Sequence, residues 1–204
     1  MDACKRLSDI RRKNAAILAE QLKEALMQLN FAAVEFEIEV RPEQTVTARG
    51  YDDVEFMIST NPGESLMPLS QVASGGELSR VMLAIKTVLA GRDVIGTLIF
   101  DEIDAGISGR TAWKVSEQLD IVARSTQVLC ITHLPQIAAM ADRHFVIEKS
   151  STEDNTITDI RPIEKEESLG ELARLLGSDT LTEAALTNAR EMRSLALEHK
   201  KSNE

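Results

Sequence analysis

The sequence predicts an α/β fold in which a mostly parallel sheet with flanking helices is joined to a small antiparallel β meander. Three features carry that expectation. Between Ile95 and Glu148, apolar strand-like runs alternate with helical patterns, an order that demands crossovers and parallel pairing. Between Val34 and Ser59 the hydrophobic period is two, as in strands with one buried and one solvated face. The first 29 residues contain neither Gly nor Pro, and their apolar spacing is helical.

Size and composition bound the answer. A chain of 204 residues makes one ordinary domain or at most two small ones, and buries roughly 70% of the surface its unfolded form exposes. With 43% hydrophobic and 27% charged residues it lies in the globular range, away from disordered, collagen-like and membrane-spanning chains. Only 3% is aromatic, so aliphatic packing has to carry the core. The formal charge of −10 repels phosphate backbones, which argues against a dedicated nucleic-acid module. Cys4 and Cys130 form no CxxC pair and have no histidine at ligand spacing, so neither a disulfide framework nor a zinc site is expected. The charged start lacks an apolar signal core, and no apolar run is long enough to cross a membrane. A reduced, cytoplasmic setting follows.

The elements follow in order. In the leading helix Leu18, Leu22, Ala25 and Leu29 form one seam, consistent either with the end of a coiled coil or with an amphipathic helix packed on the domain. Val34, Phe36, Ile38 and Val40 alternate with glutamates as a strand; a second short strand is expected from Thr45 to Arg49, and a third through Val54, Phe56 and Ile58 after the Gly50 turn. Residues 31–64 hold eight acids and two arginines, so this lobe supplies most of the negative charge. The loop from Asn61 to Ala73, with Pro62, Gly63 and Pro68, opens onto a helix lined by Leu78, Val81, Met82, Ile85, Val88 and Leu89. Ile95 to Phe100 reads as a strand buried on both faces, followed by a helix from Arg110 to Arg124 and a second buried strand from Val128 to Thr132. A short helix from Leu134 to Ala141, a third strand from His144 to Glu148, a further strand from Thr156 to Ile163, and closing helices Leu169 to Leu176 and Leu181 to Leu197 complete the chain. The expected division is a leading helix at 1–29, an antiparallel lobe at 30–64 and an α/β lobe at 65–204.

Three motifs could carry chemistry. Ser74 and Glu77 fit a capping box, in which the serine oxygen accepts a first-turn N–H and the glutamate reaches back. The intervening Gly75 and Gly76 weaken a helix start but let backbone N–H groups approach a phosphate, where the helix dipole favours negative charge. Asp101 and Glu102 end an apolar strand where α/β sheets collect ligands. One carboxylate can hold a hydrated Mg²⁺ while the other orients or deprotonates a water, although a solvated acidic turn reads equally well. Thr132 and His133 leave the next strand on the same sheet edge if the strands are parallel. Ser108 is placed to cap the helix that begins near Gly109, while Arg80 and Arg110 read as solvated or ion-paired surface arginines. No glycine is followed by lysine, so the phosphate-wrapping G-x-x-x-x-G-K-[ST] loop is absent from the sequence.

The ordered set S-G-G-E, D-E-I-D and T-H resembles the C-terminal half of an ATP-binding-cassette ATPase head, with Ser74 27 residues before Asp101 and His133 31 after Glu102. The segments ASGGELSR, FDEIDAGISG and ITHLPQIAAMADRHFVIEKS look like the structural-maintenance-of-chromosomes branch, in a DNA-repair member of it. The resemblance implies the C-terminal half of a P-loop ATPase head that uses ATP and Mg²⁺. On these positions it implies that Ser74, Gly75, Gly76 and Glu77 form the signature motif facing ATP on the opposite head of a dimer. Asp101 would hold Mg²⁺ through water, Glu102 would position the hydrolytic water, Asp104 would belong to the interface loop, and His133 would be the switch histidine. It further implies an N-terminal half of the same protein as partner, a head-to-head homodimer, DNA contact through the full-length protein, no membrane, a nucleoid-associated location, and a chain that is inactive until completed. The competing expectation is a non-hydrolysing interaction or scaffold module.

Overall fold

The computed structural model describes residues 2–31, 33–72, 74–92, 95–151, 156–177 and 181–202; Met1 and Ala73, the ends of two expected segments, lie outside them. Helix α1 (Asp2–Gln28) is a single 27-residue helix. Its apolar contribution to the core comes from the C-terminal half: Leu22 and Leu26, with Leu29 just past the helix end, are fully buried and Leu18 packs against them, whereas Ile10 and Ile17 stand in solvent.

Strands β1 (Glu35–Thr47) and β2 (Gly50–Ser59) form an antiparallel hairpin, and β3 (Met67–Pro68) adds a short third strand. The expected separate strand at Thr45 to Arg49 does not exist. Thr47 pairs with Gly50, so β1 simply continues past an irregularity between Pro42 and Thr47, where proline lacks the N–H that a ladder needs. Alternation places Phe36 and Ile58 in the core. At the hairpin tip Arg11 of α1 donates to the Asp52 carboxylate at 2.8 Å and to the Arg49 carbonyl at 2.7 Å, bracing the helix against the turn.

Helix α2 (Gly75–Val88) leads into β4 (Thr97–Phe100), α3 (Gly109–Ala123) and β5 (Gln127–Cys130). β4 and β5 pair in parallel, Phe100 opposite Cys130, and among the described residues neither pairs with another strand. One face of this pair packs Phe100, Leu98, Val128 and Cys130 against α2 and α3. The other face is bare: Ile99, Leu129 and Ile131 are 68%, 45% and 50% exposed. The expected burial on both faces is therefore met on one, because within the described residues no layer covers the second.

After α4 (Pro135–Met140), strands β6 (His144–Ser151) and β7 (Thr156–Ile163) form a separate antiparallel hairpin. The segment expected as a third strand in the alternating series thus pairs with its sequence neighbour, and among the described residues parallel pairing is confined to β4 and β5. Helices α5 (Lys165–Leu175) and α6 (Glu183–Ser202) close the chain around a second cluster built from Ala138, Ala139, Ala173, Ala189 and Ala196 with Met140, Leu172 and Met192. Small side chains let these helices approach closely, and Arg193 donates to the carbonyls of Ala139 and Ala141 at the open end of α4. No helix among the described residues is long and apolar enough to cross a membrane.

Candidate functional site

Every motif singled out in the sequence lies at the C-terminal end of the β4–β5 pair or at the start of α2. Ser74 is the N-cap of α2, with extended backbone, and its Oγ accepts from the Glu77 N–H at 3.5 Å, a long bond that supplies the serine half of the capping box. Both glycines have a steric reason to be there. A Cβ on Gly75 would lie 2.6 Å from Glu102 Oε2, and one on Gly76 would lie 2.7 Å from the Ala105 Cβ and 2.9 Å from the Glu102 carbonyl. The glycine turn and the acidic loop are therefore in contact within one chain.

Beyond Phe100 the backbone turns sharply. Asp101 is exposed, and its Oδ1 accepts from the Glu102 N–H at 2.9 Å. Glu102 has φ +56°, the left-handed region, where a side chain carries a steric cost of order 1 kcal/mol or more. Its exposed carboxylate points back towards Gly75.

Asp104, in contrast, is buried, and its Oδ2 is the hub that joins the two strand ends. It accepts from Thr132 Oγ1 at 2.6 Å and from the His133 N–H at 2.9 Å, and lies 3.0 Å from His133 Nδ1. Thr132 Oγ1 in turn accepts from the Leu134 N–H at 3.0 Å, fixing the start of α4. The imidazole itself is largely exposed, so a buried carboxylate holds one ring nitrogen while the rest of the ring faces solvent. Next to this hub, Cys130 is buried enough that its thiol is pushed up to about 12, with the charges of Asp104 and Asp101 adding to the burial effect.

Two residues that sequence reasoning left aside belong to this arrangement. Ser79 Oγ donates to the Asp101 carbonyl at 2.9 Å. Arg80, expected as a surface arginine, is 7% exposed; it donates to the carbonyls of Ala105 at 2.8 Å and Ile103 at 3.3 Å, and lies over the Phe31 ring at 5.5 Å. Burial lowers its pKa, against the opposing charge of Glu77. Its position three residues after Glu77, on the face shared with Gly76, was the available signal. Ser108 occupies the N-cap of α3, yet its side chain makes no capping bond, and its carbonyl alone accepts from Thr111 and Ala112. Arg110 is exposed, as expected.

Among the described residues no group of three or more His, Cys, Asp or Glu side chains could hold a metal ion. An exposed aspartate with one oxygen tied to the backbone suits Mg²⁺ that keeps most of its waters and takes its remaining oxygens from phosphates.

No family model matches the chain. The DNA repair protein RecN of Halalkalibacterium halodurans is 41% identical over 194 residues, covering 93% of this chain and 34% of the relative. RecN of Treponema pallidum is 44% identical over 198 residues, covering 94% of the chain and 35% of the relative. The chain thus spans about a third of the length of the curated relatives it matches. Among solved structures, the Smc head domain with a coiled coil and joint derived from Pyrococcus yayanosii superposes with a TM-score of 0.55 at 19% identity, over 81% of this chain and 30% of that one, a likeness of fold.

Proposed function

This chain corresponds over nearly its whole length to a C-terminal part of the DNA repair protein RecN, and on that premise we propose that it is the signature-bearing lobe of a RecN-like ATPase acting in recombinational repair of DNA double-strand breaks. The observation that carries the reading is the convergence of the glycine turn, the Asp101–Glu102 pair and the Asp104–His133 hub on one end of the parallel pair. Phosphoryl transfer asks a protein mainly for positioning and charge stabilisation, and these groups are positioned.

In this reading Ser74, Gly75, Gly76 and Glu77 present the α2 N-terminus to the γ-phosphate of ATP held by a second head, so ATP gates head-to-head dimerisation. Asp101 would hold Mg²⁺ through water, and the cation supplies charge neutralisation at the phosphates. Glu102 orients the attacking water, His133 contacts the γ-phosphate through the ring edge that Asp104 leaves outward, and Asp104 fixes the interface loop.

The phosphate-wrapping loop would come from an N-terminal half of the same protein. The bare face of Ile99, Leu129 and Ile131 supports this, since an apolar sheet face of that kind calls for a covering layer. DNA contact would then belong to the full-length, cytoplasmic and nucleoid-associated protein, and the chain alone would be inactive. The test is to supply that half separately and measure magnesium-dependent ATP hydrolysis with and without DNA. Turnover that Glu102→Gln slows, with ATP binding intact, is the expected result; a folded, reassembled complex without turnover would sink the proposal in favour of a scaffold.

A further inference from the structure

The side chains that grip the acidic loop come from the same helix that begins at the glycine turn. Ser79 Oγ holds the carbonyl of Asp101, and Arg80 Nη1 holds those of Ile103 and Ala105, so three alternate carbonyls from 101 to 105 are tied to adjacent residues of α2. Glu102 sits between the first two of these ties, in a left-handed conformation that a glutamate does not adopt without support. Its own side chain reaches the position that a Gly75 Cβ would occupy.

A buried arginine is an expensive way to fasten a loop. Among the described residues no carboxylate is bonded to the Arg80 guanidinium and its buried Nε has no hydrogen-bond partner; carbonyl dipoles and the Phe31 ring surround its charge. A side chain kept for packing alone would be cheaper as an apolar residue of similar length. What arginine adds is one guanidinium nitrogen, Nη1, that donates to two carbonyls two residues apart on a planar group lying over the Phe31 ring, which leucine cannot supply and a lysine ammonium reproduces only in part.

We propose that Ser79 and Arg80 are positioning residues that lock the backbone of residues 101–105, set the direction of the Glu102 carboxylate, and make it follow any movement of the glycine turn at the head of α2. An anion seated on that turn bears on α2 directly, and α2 carries the Asp101, Ile103 and Ala105 carbonyls with it. The catalytic consequence rests on the reading of Glu102 given above; the mechanical lock does not.

Two measurements separate these. In hydrogen exchange on the chain itself, Ser79→Ala and Arg80→Gln should each speed exchange of the peptide spanning 101–107 by tenfold or more while α3 exchanges as in the wild type. In the ATPase reassembled with its N-terminal half, both substitutions should lower kcat by tenfold or more with KM for ATP changed less than threefold, and Arg80→Lys, which retains a single donor group, should recover part of the loss. Ser79 is half-buried and Ser79→Ala removes a single hydroxyl, so it keeps the test intact if Arg80→Gln does not fold. Loop exchange and kcat both unchanged in Ser79→Ala would overturn the proposal, as would an Arg80→Gln defect confined to thermal stability. Faster loop exchange combined with a Glu102→Gln variant of normal turnover would uphold the lock and discard the catalytic reading of Glu102.

Discussion

The Asp104 carboxylate lies 3.0 Å from His133 Nδ1 and accepts the His133 backbone N–H with the same oxygen at 2.9 Å. One buried group thus fixes both the main chain and the ring of the residue at the end of β5. Neutral imidazole in this position carries its proton on Nδ1, which leaves Nε2 as an outward-facing acceptor. Nitrogen chemical shifts of a labelled chain near pH 8 should report that tautomer. Asp104→Ala strands the Thr132 hydroxyl, the His133 amide and the ring, and should cost about 2–3 kcal/mol in denaturant unfolding. Asp104→Asn, which retains one acceptor, should cost less. An Asp104→Ala variant as stable as wild type would remove Asp104 from its place as the hub.

The two glycines at the start of α2 should respond differently to the same change. A Cβ at Gly76 meets backbone and a neighbouring Cβ at 2.9 and 2.7 Å, neither of which can move without the loop. Gly76→Ala should therefore cost about 1–3 kcal/mol despite the better helix propensity of alanine, and each kcal/mol should lower Tm by about 2–4 °C. At Gly75 the obstacle is the end of the Glu102 side chain, which can swing away. Gly75→Ala should leave Tm within about 2 °C of wild type or raise it, while turnover of the reassembled ATPase falls. Equal losses of stability at the two positions would contradict the asymmetry.

Much of this arrangement was legible in the sequence, and the parts that were not share a cause. The period-two run, the helical seam of α1, the order of strand and helix after Ile95 and the glycine turn all come from local chemistry, and α1 to β5 form largely where the spacing places them. What local chemistry cannot reveal is which partner a segment finds. Val146 and Ile147 are as apolar as the β4 run, yet they sit in an antiparallel hairpin because β7 lies nearby in sequence, closed by a short connection. Ile99 and Leu129 read as doubly buried, and their second face is bare because no described layer packs there. Arg80 reads as a surface arginine because its partners are carbonyls, and backbone acceptors leave no mark in composition. The left-handed turn at Glu102 is invisible for the same reason: glutamate gives no sign of a positive φ, and the bonds from Ser79 and Arg80 that brace it run to neighbouring carbonyls 22 to 25 residues away.

Cys130 should be nearly inert towards alkylation although it is not fully enclosed. Burial first, then the charges of Asp104 and Asp101, raise its thiol from 9.0 to about 12. Only the thiolate attacks iodoacetamide, so near pH 8 its rate should be about a thousandfold below that of an unperturbed thiol. Peptide mass spectrometry with Cys4→Ser as background measures it directly. Asp104→Asn removes one of the two charges and should speed labelling; fast modification of Cys130 in the folded wild type would contradict the assignment.

The β6 hairpin brings a pH dependence of definite sign. His144 Nδ1 lies 2.8 Å from Ser168 Oγ, on the side facing α5, and burial lowers its pKa from 6.5, with Glu171 opposing and Arg193 adding to the fall. The unfolded chain therefore binds this proton more readily than the native one, and stability rises with pH wherever that holds. The contribution of neutral His144 is fully present above about 6.5 and is lost as the pH falls through that value towards the lower native pKa. The informative quantity is the difference between wild type and His144→Gln, which isolates this one group. The urea midpoint of the wild type should fall more between about pH 7.5 and 5.5 than that of His144→Gln, because glutamine can keep a hydrogen bond to Ser168 without taking up a proton. Equal falls in the two proteins would show that His144 is solvated and that α5 does not seal the base of the hairpin.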